Sequence, residues 1–215
     1  MKKKWSVKKK ILMSILAVIA VLLLVVIGYV IYVFASYHRI DDKQNLKINS
    51  LNGDDSLKVT TDNEYTIGTY NVGFGAYTPD YSFFMDGGKY SRCFSRQSGI
   101  DAINGAADLA KSGNPDFMLF QEVDRDSTRS YHVNQEQLIN KKFDGYFQNF
   151  AVNYDSAYLF YPFNEPIGKS YSGIDVYSKY QITAALRRSF PISTSFSKFL
   201  DLDRCYSVSR VNVDN

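Results

Sequence analysis

An uncharged apolar run near the N-terminus constrains this chain more than any other feature. The run extends from Ile11 to Phe34, and its only hydroxyl groups belong to one serine and two tyrosines. A helix of about 20 apolar residues is enough to cross the hydrocarbon core of a bilayer. A cleaved signal peptide is the alternative, but its apolar region is usually about 7–15 residues long and ends at an Ala-x-Ala type site. The segment Tyr32–Ser36 offers no such site, which favours an uncleaved transmembrane helix over residues 11–34.

The charges on the two sides of the run predict its orientation. Basic residues precede the run, whereas Asp41 and Asp42 follow it. The positive-inside rule then places residues 1–10 in the cytoplasm as a basic tail and the C-terminal domain outside the cell. The predicted partner of residues 11–34 is the lipid bilayer of the cell membrane. The tail lysines are Lys2, Lys3, Lys4, Lys8, Lys9 and Lys10, and the aromatic residues at the expected membrane interfaces are Trp5, Tyr29, Tyr32 and Tyr37.

The basic tail also accounts for the net charge of +3. Without its six lysines, 19 of the 25 basic residues remain against all 22 acidic residues. The predicted external domain is therefore mildly acidic, which argues against tight sequence-independent binding of DNA, because such binding needs clustered cations. The only cysteines, Cys93 and Cys205, could form a disulfide outside the membrane or remain as buried thiols.

The rest of the chain predicts a polar connection followed by a layered domain. Residues 35–63 are predicted as a stalk with one short strand at Ser56–Thr60, and the folded domain occupies residues 64–215. Helical spacing begins at Ser95 and stops at Gly113. An α/β or α+β architecture follows. A second helix is predicted at Asn134–Lys142, and strands are predicted at Glu64–Tyr70, Phe117–Phe120, Tyr146–Asn153, Ala157–Tyr161, Gly173–Tyr177, Ala184–Ser189 and Tyr206–Val213.

Two polar residues end the first two apolar strands of this domain. Asn71 follows the first strand, and Glu122 follows the second. A carboxylate at a sheet edge, together with waters and substrate phosphate oxygens, is a common way to hold Mg²⁺. The alternatives are an asparagine that forms a strand-end turn and a glutamate that accepts a hydrogen bond from a neighbouring loop. The strand–helix–strand order predicts that both residues lie at corresponding strand ends.

Further polar and aromatic residues surround these strand ends in sequence. Arg129 could grip a phosphate group through two hydrogen bonds, and His132 could offer an imidazole to a substrate. A self-paired loop and a surface histidine are the alternatives. The aromatic loop from Tyr77 to Tyr90 predicts either a stacking platform for a base or sugar or ordinary packing of a β-rich domain.

An ordered set of three motifs resembles the endonuclease/exonuclease/phosphatase family, the DNase I-like proteins. The set comprises the strand that ends at Asn71, the segment Pro115–Asp124 with its Gln121-Glu122 pair, and the segment Gly173–Ile182. Gln181 replaces the family's proline in the last motif. The resemblance implies a four-layer αββα sandwich that hydrolyses phosphate esters through a metal-assisted water. It also implies that Glu122 is a Mg²⁺ ligand and that Asn71 organises the metal and the phosphate.

The resemblance does not extend to the family's later motifs. No histidine follows His132, and no Asp-x-Asn strand end follows Val213. The catalytic histidine, the Asp-x-Asn motif and the Asp-His pair are therefore expected beyond Asn215, with the C-terminal part of the sandwich. Without a positioned base we expect no hydrolysis by these residues alone. The sequence predicts a membrane-anchored Mg²⁺-dependent phosphoesterase in truncated form, acting on a lipid headgroup, a small phosphodiester or nucleic acid; the alternative is a non-catalytic surface-binding protein.

Overall fold

The structure, a computed structural model, describes residues 6–193, 195–199 and 201–214 and divides the chain into two compact units. The first unit spans Met1–Tyr37, and the second spans His38–Asn215. The predicted roles of Lys2, Lys3, Lys4 and Trp5 lie outside the described residues.

The first unit is one long apolar helix. Helix α1 extends over Val7–Ser36, and the Ser6 hydroxyl accepts a hydrogen bond from the Lys9 amide at its start. Its mean hydropathy reaches 3.2 in the most apolar window, and none of that window is buried within the protein. A helix of this length measures about 45 Å, which exceeds the about 30 Å of a bilayer's hydrocarbon core. Length and composition therefore suffice for one crossing of a membrane.

The second unit is a mixed α/β fold with several sheets. Its helices are α2 (Arg96–Ser112) and α3 (Gln135–Lys142). Its strands are β1 (Gln44–Asn45), β2 (Ile48–Leu51), β3 (Val59–Thr60), β4 (Ile67–Asn71), β5 (Phe117–Asp124), β6 (Tyr146–Asp155), β7 (Tyr171–Ser178), β8 (Ile182–Ser189), β9 (Cys205–Val211) and β10 (Val213–Asp214).

The main sheet has five strands in the order β2-β6-β7-β5-β4. Strands β4 and β5 run parallel, with Asn71 opposite Gln121, whereas the other neighbours are antiparallel. The parallel pair requires a crossover, and α2 supplies it. Ser95 and Ser98 form a reciprocal capping box that starts this helix, and Gly113 caps its end, as the sequence predicts.

Both helices of the second unit cover one face of the main sheet. Ile103 and Ala107 of α2 and Ile139 of α3 are fully buried against strand residues such as Phe120 and Tyr177. Helical spacing of small and branched side chains produces this apolar face.

A smaller three-stranded sheet, in the order β1-β8-β9, lies on the opposite face of the main sheet. Phe147 of β6 packs against Ile182 and Ala185 of β8 in a separate apolar cluster. The Asn149 side chain of β6 also donates a 2.8 Å hydrogen bond to the Ser209 hydroxyl of β9. The described residues therefore form one helix layer and two facing sheets, and none of them adds a helix layer over the smaller sheet.

Two element predictions are wrong. The predicted stalk, residues 35–63, instead contributes β1, β2 and β3 to the folded unit, because Leu46 and Ile48 fill the cluster between the sheets. The predicted strand Ala157–Tyr161 forms only an isolated bridge between Leu159 and Gly168. The polar composition of the first segment suggests a stalk, and the aromatic composition of the second suggests a strand, so the sequence alone leads to both wrong predictions.

The two cysteines are free thiols. Cys93 is buried beside the Phe74 carbonyl, and burial raises the pKa of its thiol to about 12. Burial also raises the pKa of Cys205, which lies on β9. The alternative of unpaired thiols is thus the one that the structure shows.

Candidate functional site

The candidate site is built around an irregularity in β5. The pairing of β5 with β7 shifts register between Phe120 and Val123, and Glu122 lies inside this bulge with φ of 57°. A non-glycine residue in the left-handed region carries backbone strain, and such strain often accompanies function. A bulge also redirects a side chain from the regular alternation of the strand. Glu122 is half-buried, whereas its neighbours Val123 and Asp124 are fully buried.

Asn71 positions the Glu122 carboxylate from the neighbouring strand. Its amide nitrogen donates a 3.0 Å hydrogen bond to Glu122 Oε1. Its amide oxygen accepts a 2.9 Å hydrogen bond from the Gly73 N–H, which fixes the direction of the amide group. The two residues therefore meet at the carboxyl ends of parallel strands, as the strand–helix–strand order predicts. This geometry favours a positioning role for Asn71 over direct ligation of a metal.

The loop after Asn71 is held in an unusual conformation. Gly73, Phe74 and Gly75 all have positive φ, at 51°, 44° and 74°. The two glycines tolerate this region because they lack a Cβ. Phe74 is buried, and its carbonyl accepts a 2.7 Å hydrogen bond from Gln135 of α3. The loop beside Glu122 is consequently fixed to the core instead of being free.

Tyr77 belongs to the loop that follows Asn71, and its ring centroid lies 5.8 Å from that of Phe74. Burial, together with the negative charges of Asp86 and Glu122, raises the pKa of Tyr77 to about 12. Tyr77 is therefore protonated at neutral pH, and its hydroxyl donates its single proton to Asp86 Oδ2 at 3.4 Å. The sequence indicates only an aromatic loop here, and its composition holds no signal that singles out Tyr77.

Arg129 does not face the candidate site as a phosphate-binding residue would. Its guanidinium is buried and forms a bidentate pair with Asp124, at 2.8 Å and 3.1 Å. The guanidinium also stacks over the Phe74 ring, with 4.1 Å between its carbon and the ring centroid. The loop is self-paired, and the pair is buried instead of solvated. Arg129 therefore supports the loop, and its Nε and Nη2 donors are used by the pair with Asp124.

His132 is an exposed residue that pairs with the Asp126 carboxylate through Nδ1. It has φ of 56° in the turn that leads to α3. A described hydrogen bond joins Asn71 to Glu122, whereas His132 lies in this separate pair. A role for His132 in substrate binding thus gains no support from its contacts.

The donor set around Glu122 suits a hard cation with much of its coordination supplied by water and substrate. One carboxylate oriented by a neighbour is the kind of protein ligand that Mg²⁺ uses alongside waters and phosphate oxygens. A cage of protein ligands is absent among the described residues, since no group of three or more His, Cys, Asp or Glu side chains there can hold a metal ion. Glu122 alone therefore does not form a structural metal centre, and a cation there would need waters and substrate oxygens as its other ligands.

Comparison with known proteins identifies no relative of this chain. No family model, no curated protein and no solved structure matches the chain.

Proposed function

We propose that this chain is a membrane-anchored domain of the endonuclease/exonuclease/phosphatase type, which holds Mg²⁺ and a phosphate ester at Glu122. The observation that carries the proposal is the strained bulge that presents Glu122 beside Asn71 at the ends of two parallel strands. A protein retains such strain where the surrounding structure enforces it, and functional sites are the usual location. The finer fold assignment, a DNase I-like αββα sandwich, rests on the motif resemblance and is compatible with the helix–sheet–sheet layering.

Each residue of the site has a distinct proposed role. Glu122 ligates the cation, and Asn71 keeps its carboxylate in one orientation through the 3.0 Å hydrogen bond. Bound Mg²⁺ would neutralise phosphate charge and lower the pKa of a coordinated water. A substrate phosphate oxygen would compete with Asp86 for the single proton of the Tyr77 hydroxyl. Arg129 and Asp124 hold the underlying loop in place through their buried pair.

The membrane assignment follows from helix α1. A single helix with this apolar content, preceded by a lysine-rich tail, is expected to remain in the membrane with the folded unit outside the cell. This location favours a lipid headgroup or a small phosphodiester over bulk DNA, because the folded unit is mildly acidic. Substrate selection within that class is proposed to depend on the loops that flank Glu122.

A non-catalytic binding protein is the second candidate, and one observation favours it. Hydrolysis needs a base positioned against the attacking water. Among the described residues, His132 pairs with Asp126, and no further base is joined to Glu122 by a described hydrogen bond. We therefore expect metal-dependent binding of a phosphodiester without turnover by these residues.

Binding of a phosphodiester by the full chain in detergent tests the proposal. With Mg²⁺ present, bis(p-nitrophenyl) phosphate is expected to bind, and removal of Mg²⁺ by EDTA should abolish the binding. Asn71→Ala frees the Glu122 carboxylate and should weaken binding by at least about tenfold, or about 1.4 kcal/mol. Gln121→Ala, at the adjacent position of β5, is the matched control and should bind nearly as the natural chain does. Binding that is unaffected by EDTA would contradict the metal site, and release of nitrophenol above the blank would contradict the expected lack of turnover.

A further inference from the structure

Two neighbouring loops of the folded unit expose large apolar side chains to solvent. Phe163 is 85% exposed, Met85 is 71% exposed and Tyr161 is 63% exposed. The Phe84 ring joins the two loops, since its centroid lies 5.7 Å from that of Tyr161, and Tyr161 lies 5.9 Å from Phe163. We refer to Phe84, Met85, Tyr161 and Phe163 as the aromatic rim. Contiguous exposed apolar side chains on a soluble domain usually mark an interaction surface.

The loops that carry the aromatic rim are tied to each other and to the fold. The Ser91 hydroxyl donates a 2.5 Å hydrogen bond to the Glu165 carbonyl, and Arg92 Nε donates a 2.7 Å hydrogen bond to the Pro166 carbonyl. The Phe84 N–H donates to the Tyr90 carbonyl at 2.9 Å. These bonds tie the two loops that carry the rim side chains to each other.

We propose that the aromatic rim inserts into the interfacial region of the lipid bilayer in which helix α1 is anchored. The inference rests on the proposed membrane anchorage, and it does not depend on the metal site or on hydrolysis. Tyrosine and phenylalanine rings and a flexible methionine suit the boundary between headgroups and acyl chains.

The chain connection favours a lipid occupant over a second protein. Helix α1 ends at Ser36, and the folded unit begins at His38. So short a tether gives the folded unit a high effective concentration at its own bilayer, which turns weak apolar insertion into a stable contact. A soluble partner protein would lack this advantage.

The charges near the rim indicate which lipids it suits. The four rim side chains are uncharged, and the nearest charges in sequence are the acidic residues Asp86 and Glu165. Clustered Lys or Arg side chains, which attract anionic membranes, are missing from the rim. The rim is therefore expected to enter zwitterionic phosphatidylcholine without needing anionic lipid and with little dependence on salt.

Single-tryptophan fluorescence of the full chain in phosphatidylcholine nanodiscs, one chain to a disc, tests this inference. Trp5 is the only tryptophan, so Trp5→Phe gives a silent background for Phe163→Trp. The new tryptophan should emit at shorter wavelength than in water and lose most of its intensity when the lipid acyl chains are brominated. Leu109→Trp in the same background is the matched control, because Leu109 is exposed on α2 and lies outside the rim, and it should stay unquenched.

A second variant tests the same inference by adding a charge to the rim. Adding Met85→Asp to the Phe163→Trp chain should restore emission toward that in water, because a carboxylate resists entry into the bilayer. Emission of the Phe163→Trp chain that is unaffected by brominated lipid would overturn the inference. Equal quenching at the Leu109 position would also overturn it. Because no step requires Mg²⁺ or turnover, the inference can fail while the proposed metal site stands, and the reverse also holds.

Discussion

Replacing Arg129 by methionine is expected to destabilise the folded unit by about 3–5 kcal/mol, because the change leaves a buried carboxylate without its partner. Asp124 is fully buried, and Arg129 donates to both of its oxygens. The Ser130 hydroxyl, at 2.8 Å, would be its principal remaining side-chain donor. Denaturant-induced unfolding of the full chain in detergent, followed by near-ultraviolet circular dichroism of the tyrosines, measures the loss.

A surface pair provides the control for this prediction. Lys142 and Asp108 form a 2.8 Å pair between the two helices, and both side chains are partly exposed. Lys142→Met should cost less than about 1 kcal/mol, as exposed ion pairs usually do. The double variant Arg129→Met with Asp124→Leu should recover part of the loss, since it removes both buried charges. An Arg129→Met cost equal to that of Lys142→Met would contradict the buried role of the pair.

The second large effect is a pH dependence of stability that originates at Asp175. This carboxyl group is buried between the main sheet and α3, and burial raises its pKa well above the usual value. The hydrogen bonds of the Tyr177 hydroxyl independently indicate that Asp175 is protonated. The Tyr177 hydroxyl has one proton but lies 2.8 Å from Asp175 Oδ2 and 2.7 Å from Asn140 Oδ1. Both contacts are satisfied when Asp175 carries a proton and donates it to Tyr177.

Charged and polar groups from every neighbouring element bear on this proton. Gln148 of β6 donates to Asp175 Oδ1 at 2.5 Å and to Glu136 of α3 at 2.9 Å. The Glu136 charge raises the pKa of Asp175, whereas Gln148, Tyr177 and Arg125 lower it, and burial outweighs them. The folded state therefore binds a proton that the unfolded chain releases above about pH 4.

The sign of the pH effect follows from this proton. Since the folded pKa is raised, the stabilisation is fully present below about pH 4 and decreases as the pH rises toward the folded pKa, by about 1.4 kcal/mol for each pH unit. Asp175→Asn can make the same hydrogen bonds without a titrating group. Its free energy of unfolding, relative to that of the natural chain, should therefore rise steadily from about pH 4 up to the folded pKa of Asp175. A difference that is constant over this range, or that falls, would contradict a protonated Asp175.

The positions of Asn71 and Glu122 could be predicted because strand order fixes which strand ends are neighbours. Parallel strands joined by a helix bring their carboxyl ends to one edge, and the sequence contains the strands, the helix and its glycine stop. The bulge that gives Glu122 its left-handed backbone could not be predicted. It depends on how β7 pairs across from β5, which is a contact between residues far apart in sequence.

The burial of Arg129 could not be predicted from the sequence for a different reason. Its loop is crowded with charges, which is typical of both a solvated surface and an anion site. Burial was decided by the packing of Phe74 beneath the guanidinium, and Phe74 belongs to a loop more than fifty residues earlier. Strands β1 and β2 could not be predicted for a similar reason. Leu46 and Ile48 are isolated apolar residues in a polar segment, and their partners in the core lie far away in sequence, on β6, β8 and β9.

Direct binding of a divalent cation tests the assignment of Glu122 most directly. Mn²⁺, which replaces Mg²⁺ at oxygen sites, loses its free electron paramagnetic resonance signal when it binds, and added Mg²⁺ should compete for the same site. The full chain in detergent is expected to bind one Mn²⁺, and Glu122→Gln should weaken that binding by at least about tenfold, or about 1.4 kcal/mol. Asp126→Asn removes an exposed carboxylate of the neighbouring loop and should leave the affinity unchanged. Equal affinity in the Glu122→Gln chain and the natural chain would contradict a metal site at this strand end.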